Sequence, residues 1–222
     1  KELETEAKDI RLKAKLAKLC KKELTLFCDS VKNEEKLKCL KTKLHNLQMG
    51  KDCKKQVLIE KRVAATFLKA SPGIAKACKD DLAKFCSSVK PGGGRTHHCL
   101  RSNMKLLSTQ CKQAEFNEMA DEAEDIAAQP WLMEKCKVDL QNLCKIELPP
   151  SLKGAAKQVT ANDDAGASQP GAIGTEQDNG KAKECLKEKL DKKMLQPDCK
   201  QAVEEQIRFE LQDIRINYRA FK

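Results

Sequence analysis

The chain has 222 residues, 43 Lys plus Arg against 33 Asp plus Glu, a formal net charge of +10, and only 4% aromatic residues, with one Trp and one Tyr. So few stacking side chains argue against nucleic acid as a partner, and no run approaches the 18 or so apolar residues of a membrane span. Twelve cysteines, an even number, point to an oxidising compartment: the secretory lumen, the cell surface or the exterior.

Those cysteines repeat. Cys20, Cys78 and Cys136 stand 58 residues apart, and each leads to a second cysteine (Cys28, Cys86, Cys144) through one motif, C-K-x-[ED]-L-x-x-[FL]-C. Three copies at one period define a repeat array. A unit of about 58 residues sits near the size where an apolar core alone is marginal, and each disulfide contributes about 2–4 kcal/mol, mostly by restricting the unfolded chain. Zinc is the competing use of cysteine, but structural zinc sites favour C-x2-4-C pairs with His nearby. There is no C-x-x-C here, and His45, His97 and His98 hold no common repeat position. The expectation is disulfides, with no metal and no cofactor.

Along the chain, residues 1–19 form a lead-in in which Asp9-Ile10 precedes Cys20 by 11 residues, as Asp125-Ile126 precedes Cys136. Leu24 and Phe27, Leu82 and Phe85, Leu140 and Leu143 follow their first cysteine by four and seven residues, one helical stripe. The third cysteine opens a second helix with Cys39-Leu40, Cys99-Leu100 and Cys185-Leu186, which Gly50 and Pro197 break. The fourth begins a long linker helix over 53–69, 111–128 and 199–217, and Pro72 and Pro130 mark the turn into the next unit. The fold class is therefore all-α: tandem disulfide-stapled helical hairpins joined by long linker helices. The units run 1–55, 56–115 and 116–205, and 206–222 leads into a further repeat; a longer array is expected on both sides. Gly92-Gly93-Gly94 reads as a flexible loop, with no preceding strand and no following Gly-Lys-Ser to make a phosphate cradle. The Ala, Gly, Pro, Gln and Asp-rich insert 147–180 reads as a disordered loop.

Nested pairing fits the hairpin best: Cys28–Cys39 and Cys20–Cys53, Cys86–Cys99 and Cys78–Cys111, Cys144–Cys185 and Cys136–Cys199. Four cysteines allow three connectivities per unit, and the other two stay open. The nested scheme carries a mismatch: the first two cysteines are eight residues apart, about 12 Å along a helix, while the third and fourth are up to fourteen apart, about 21 Å.

No catalytic constellation is found. His97 and His98 are adjacent in one loop with no nucleophile beside them, a surface pair rather than part of a triad, and the chain reads as a binding module, not an enzyme. One acid recurs in the motif: Glu23, Asp81 and Asp139. These are surface charges or helix ion pairs, or, on the sharper reading, a repeated contact to a partner or to the next unit.

The motif, the Cys-Leu of the second helix, and the D-I-R-[LI] lead-ins at 9–12 and 213–216 resemble the cysteine-rich repeats of the Golgi apparatus protein 1 family, also described as cysteine-rich fibroblast growth factor receptors and E-selectin ligands. The resemblance covers all but the insert. It implies a type I membrane glycoprotein resident mainly in the Golgi membrane, with many such repeats on the lumenal side, one span outside this segment, and a role in binding and trafficking fibroblast growth factors. No Asn-x-Ser/Thr sequon is present, so the segment has no N-linked support for selectin recognition. The partners expected are secreted growth factors, sulfated glycans attracted by the basic surplus, and neighbouring repeats. The alternatives are a structural spacer that retains cargo without its own ligand site, and a saposin-like lipid-binding module.

Overall fold

The structure, a computed structural model, describes residues 7, 9–123, 125–146 and 176–212. Every regular element among them is helical. Unit one contains a 3-10 turn Ile10–Leu12, then α1 (Ala14–Leu19), α2 (Lys21–Phe27), α3 (Lys36–Thr42) and α4 (Lys51–Thr66). Unit two repeats the plan: a 3-10 turn Leu68–Ala70, α5 (Pro72–Ala77), α6 (Lys79–Phe85), α7 (Arg95–Ser102), a 3-10 turn Met104–Leu106 and α8 (Thr109–Glu122). Unit three has a 3-10 turn Ile126–Ala128, α9 (Pro130–Lys135), α10 (Lys137–Asn142), α11 (Glu176–Asp191) and α12 (Pro197–Gln212).

The first cysteine of each unit sits at a kink that periodicity alone does not reveal. Cys20, Cys78 and Cys136 have ψ of 15°, 11° and 10°, against about −42° in a regular helix. Their N–H groups still donate to Leu16, Ile74 and Leu132, and their carbonyls accept from Leu24, Leu82 and Leu140. Hydrogen bonding thus carries across the bend, while the helix axis turns at the disulfide. The nested pairs are the ones present: Cys20–Cys53, Cys78–Cys111 and Cys136–Cys199, with Cα–Cα distances of 4.7, 4.6 and 4.5 Å, and Cys28–Cys39, Cys86–Cys99 and Cys144–Cys185, at 6.1, 6.0 and 5.9 Å.

The length mismatch resolves because the segment from third to fourth cysteine is not one helix. α3 ends at Thr42, well before Gly50, and the chain turns through 43–49 before α4 begins. Four expectations are corrected here. The third cysteine lies inside α3, α7 and α11 rather than opening them; Gly50 caps the start of α4 and Pro197 starts α12, so neither breaks the preceding helix. The linker helices begin at 51, 109 and 197 and the first two stop at Thr66 and Glu122. α4 stops because Phe67 is extended, with φ −128° and ψ 109°. α11 begins at Glu176, so residues 176–180 are helical rather than part of a disordered insert; residues 147–175 and the tail 213–222 lie outside the described residues.

Three apolar clusters, one per unit, each gather around a buried first–fourth disulfide and a fully buried leucine: Leu16 and Leu40, Leu100, and Leu140. The units also close on one another. α4 packs against its successor's α8 and, further on, against the 3-10 turn Ile126–Ala128 and α9 of unit three. The Gly92–Gly94 turn is part of this junction and not a loose loop. All three glycines have positive φ, Gly94 N–H donates to Thr66 O at 3.2 Å, and a Cβ at Gly94 (φ 69°) would lie 2.6 Å from Pro130 Cγ.

Gly94→Ala is expected to lower stability by about 1–2 kcal/mol from the left-handed backbone alone, and by more if Pro130 must move. Gly73→Ala, with nothing within 4 Å of its Cβ and a helical position, is expected to raise stability by about 0.5–1 kcal/mol. Calorimetric melting of the two variants checks both signs.

Candidate functional site

Besides the cysteines, the sequence singles out the recurrent motif acids as site residues. They are not surface charges. Glu23, Asp81 and Asp139 are 4%, 8% and 4% exposed, and each accepts a backbone N–H within its own unit. Glu23 Oε1 accepts from Gly50 N at 3.0 Å, Asp81 from Ser108 N at 3.2 Å and Ser108 Oγ at 2.7 Å, and Asp139 Oδ2 from Gln196 N at 3.0 Å. The rule is regular. The acid three residues after the first cysteine takes the amide three residues before the fourth, at the N-terminus of the long helix. A carboxylate there satisfies an otherwise orphaned donor and meets the positive end of the helix dipole. These acids hold the fold and present no charge to a partner.

Side-chain length at this cap explains another residue. A Cβ on Gly50 would lie 2.7 Å from Glu23 Oε1, so a side chain there displaces the end of the longer acid from its cap, whereas the shorter Asp81 and Asp139 face Ser108 and Gln196.

The junction of the units carries the polar chemistry. His97 and His98 lie in helix α7, not in a loop, and His97 is 1% exposed rather than a surface residue. Its Nδ1 is 2.9 Å from Glu115 Oε1. Arg101 Nε donates to Glu115 Oε2 at 3.0 Å, and its two terminal nitrogens donate to Glu122 at 2.7 and 2.9 Å. Repeat alignment shows what this network replaces. His97 and Glu115 occupy the positions of Leu37 and Val57 in unit one, both part of that unit's apolar cluster. Arg101 and Glu122 correspond to Lys187 and Glu210 in unit three, a pair at 3.3 Å.

Burial opposes a charge on His97, but Glu115's charge and hydrogen bond outweigh it and raise the imidazole pKa above its usual range. Burial likewise opposes ionisation of Glu115, and His97 and Arg101 overcome it, so that carboxyl is held low. His98 behaves oppositely: burial lowers its pKa against the pull of Glu205. Its ring stacks on Trp131 of unit three, centroids 3.9 Å apart and 16° from parallel. These groups line an open cleft with Gln129, Glu205 and Phe209, and His97 Nε2 and Gln129 Oε1 are buried there without a hydrogen-bond partner.

Two further contacts cross between units. Arg62 in α4 donates to Asp125, the lead-in acid of unit three, at 2.9 and 3.2 Å, with side chains 4% and 3% exposed. Asp125 also accepts from Ala127 N at 3.0 Å and so caps the 3-10 turn. Lys183 of α11 donates to Ala123 O at the end of α8. The Asp-Ile lead-in was visible as a spacing; its partner Arg62 was not, because the two are 63 residues apart and only Arg62's repeat register, nine after the fourth cysteine, marks it. Among the described residues no group of three or more His, Cys, Asp or Glu could hold a metal.

Comparison with known proteins places these features in a family. A family model described as cysteine rich repeat matches residues 1–48, 51–107 and 109–194. The chain is 26% identical to Golgi apparatus protein 1 of Rattus norvegicus and 25% identical to that of Gallus gallus, each over 219 residues covering 95% of this chain and 16% of the relative. It is 24% identical over 144 residues to Golgi apparatus protein 1 homolog of Caenorhabditis elegans, covering 61% of this chain and 12% of the relative. The chain thus spans about one sixth of the length of the vertebrate relatives it matches. No solved structure matches.

Gly50→Ala is expected to cost about 1–3 kcal/mol by crowding the cap, and Glu23→Asp in the same chain to recover most of that, in urea melts of the single and double variants. For His97, the folded pKa is raised above the unfolded value of about 6.5. Its contribution to stability is therefore complete below that value and is lost as pH rises through the folded pKa. The stability gap between the native chain and His97→Gln is expected to shrink as pH is raised across that window, followed by urea midpoints at stepped pH.

Proposed function

The chain belongs to the cysteine-rich repeat family, and from that premise we propose that it is a lumenal, non-enzymatic segment of a Golgi membrane protein that binds secreted growth factors of the fibroblast type and takes part in their trafficking. The observation that carries the reading is three disulfide-stapled units in register in a chain homologous to Golgi proteins over almost its whole length. Stapled helices keep a fixed surface in an oxidising lumen, which suits a binding scaffold. No described helix is long and apolar enough to cross a membrane, so attachment in this reading comes from a span elsewhere.

Charge limits how such binding works. Fibroblast growth factors are basic, and this chain carries a net charge of +10, so simple attraction fails. The motif acids do not supply an acidic face, since they are buried on backbone amides. The mode favoured is a bridging sulfated glycan held by both proteins. Lys15, Lys18 and Lys22, exposed on the outer side of α1 and α2, are spaced at helical intervals suited to a polyanion.

Captured growth factor on the immobilised, oxidised chain is expected to require added heparan sulfate. Disulfide reduction is expected to abolish capture, and the triple exchange of Lys15, Lys18 and Lys22 to Glu to weaken it several-fold. If the chain captures nothing under any of these conditions while a longer array does, this segment is a spacer and the proposal fails for it.

A further inference from the structure

The burial of the long helix changes along the array. In unit one the end of α4 is covered on every side: Glu60, Lys61, Arg62, Val63, Ala64, Ala65 and Thr66 are all buried, at 9% exposure or less. In unit two the matching stretch of α8 mixes buried Met119, Ala120 and Glu122 with half-buried Glu118 and Asp121. In unit three the matching stretch of α12 keeps Glu210 buried and Gln206, Ile207 and Phe209 half-buried, while Arg208 is exposed and Leu211 is 73% exposed. Coverage follows the number of repeats packed downstream: two for α4, one for α8, none described for α12. The contact responsible in unit one is known. The lead-in of unit three, next but one along the chain, packs on α4, and its Asp125 takes Arg62 in two hydrogen bonds.

Arg208 is the repeat equivalent of Arg62, nine residues after its fourth cysteine, and makes no ion pair among the described residues. The complementary acid has a counterpart at the other end of the molecule. Asp9, eleven residues before Cys20 as Asp125 is before Cys136, caps its 3-10 turn through Arg11 N and holds the side chain of Arg11, which is 71% exposed. An Asp lead-in without a buried arginine from another unit therefore takes a solvent-facing one. The position is not invariant, since unit two has Phe67 there.

We propose that the C-terminal half of α12, around Arg208 and Leu211, is a docking surface for a further cysteine-rich repeat two units downstream, whose lead-in aspartate takes Arg208 as Asp125 takes Arg62. The array is then held by contacts that skip one unit, in addition to those between neighbours. Its assembly rule is an arginine nine residues after a fourth cysteine and an aspartate eleven before a first cysteine, one complete unit apart. The inference rests on repeat geometry and is independent of which ligand the array binds.

The test uses the chain itself and a tandem in which residues 77–222 follow Lys222 directly. That fusion keeps the 25-residue cysteine spacing and puts Arg208 63 residues before the second copy of Asp125, the separation of Arg62 and Asp125. In the unextended chain phenylglyoxal is expected to modify Arg208 and spare Arg62. In the tandem the first copy of Arg208 is expected to be protected, and the first copy of amides 206–212 to exchange about tenfold more slowly or better, while the second copy stays open. Both effects are expected to vanish when the second copy of Asp125 is changed to Ala. Amides 60–66, protected in every sample, report that the fold is intact. Exchange at 206–212 that is no slower in the tandem while 60–66 stay protected overturns the proposal, as does protection that survives the Asp→Ala change.

Discussion

The close approach of the first and fourth cysteines is the constraint on which the rest of each unit depends. Cα atoms 4.5 to 4.7 Å apart hold two helix backbones together at one fixed point, at the short end of the range a disulfide spans. The backbone answers with a kink at the first cysteine. The start of the long helix then lies beside the short helix that follows that kink, with its leading amide partly buried. That amide is one of the donors a helix start leaves without a partner in its own helix. The acid three residues after the first cysteine supplies the partner, which accounts for its recurrence as a structural cap. The disulfide and the carboxylate are two parts of one device: the bridge fixes the approach, and the acid makes it tolerable.

Within that frame the remaining interior is free to vary, and unit two uses the freedom differently from its neighbours. Where unit one places Leu37 and Val57 in its apolar cluster, unit two buries His97, Glu115 and Glu122 around a half-buried Arg101. Replacing apolar contact with buried charge rarely adds stability, because desolvation offsets the attraction. What it adds is direction: the guanidinium accepts only one arrangement of two carboxylates. Unit two is also the one enclosed by both others, so a core that tolerates slippage there would loosen the whole array. Beside it, His98 on Trp131 and Gly94 against Pro130 leave little room for the units to rotate.

How much of this the sequence discloses depends on the range of the interaction. The cysteine period, the helical stripes, the turns at Pro72 and Pro130 and the nested pairing as best fit were legible, because each is written in short spacings that the copies reinforce; Pro197 was misread as ending a helix that it starts. The kink at Cys20 was not, since its hydrogen bonds keep helical spacing while only ψ departs. The role of Glu23 was misread as surface charge because burial is a property of the partner helix, 27 residues away, and a lysine-rich neighbourhood looks solvated. His97 was misread for the same reason: its partner Glu115 stands where the other units have valine, so the repeat pattern argued against it. The glycine triplet looked flexible by composition, yet positive φ at three successive residues is what lets the chain turn tightly against Thr66 and Pro130.

These same distinctions bear on where recognition takes place. The motif acids and the first and fourth cysteines, which recur in every unit, are buried in the fold, whereas the motif lysines Lys21, Lys79 and Lys137 recur and are exposed. In the proposed binding role, recognition draws on exposed positions: those lysines, the outer lysines of α1 and α2, and the cleft beside Trp131. A repeat array built this way presents a different face at each unit while sharing one interior. In such an array the order of the units and the contacts that hold them on one another, such as the buried pair of Arg62 and Asp125, set which exposed residues stand side by side.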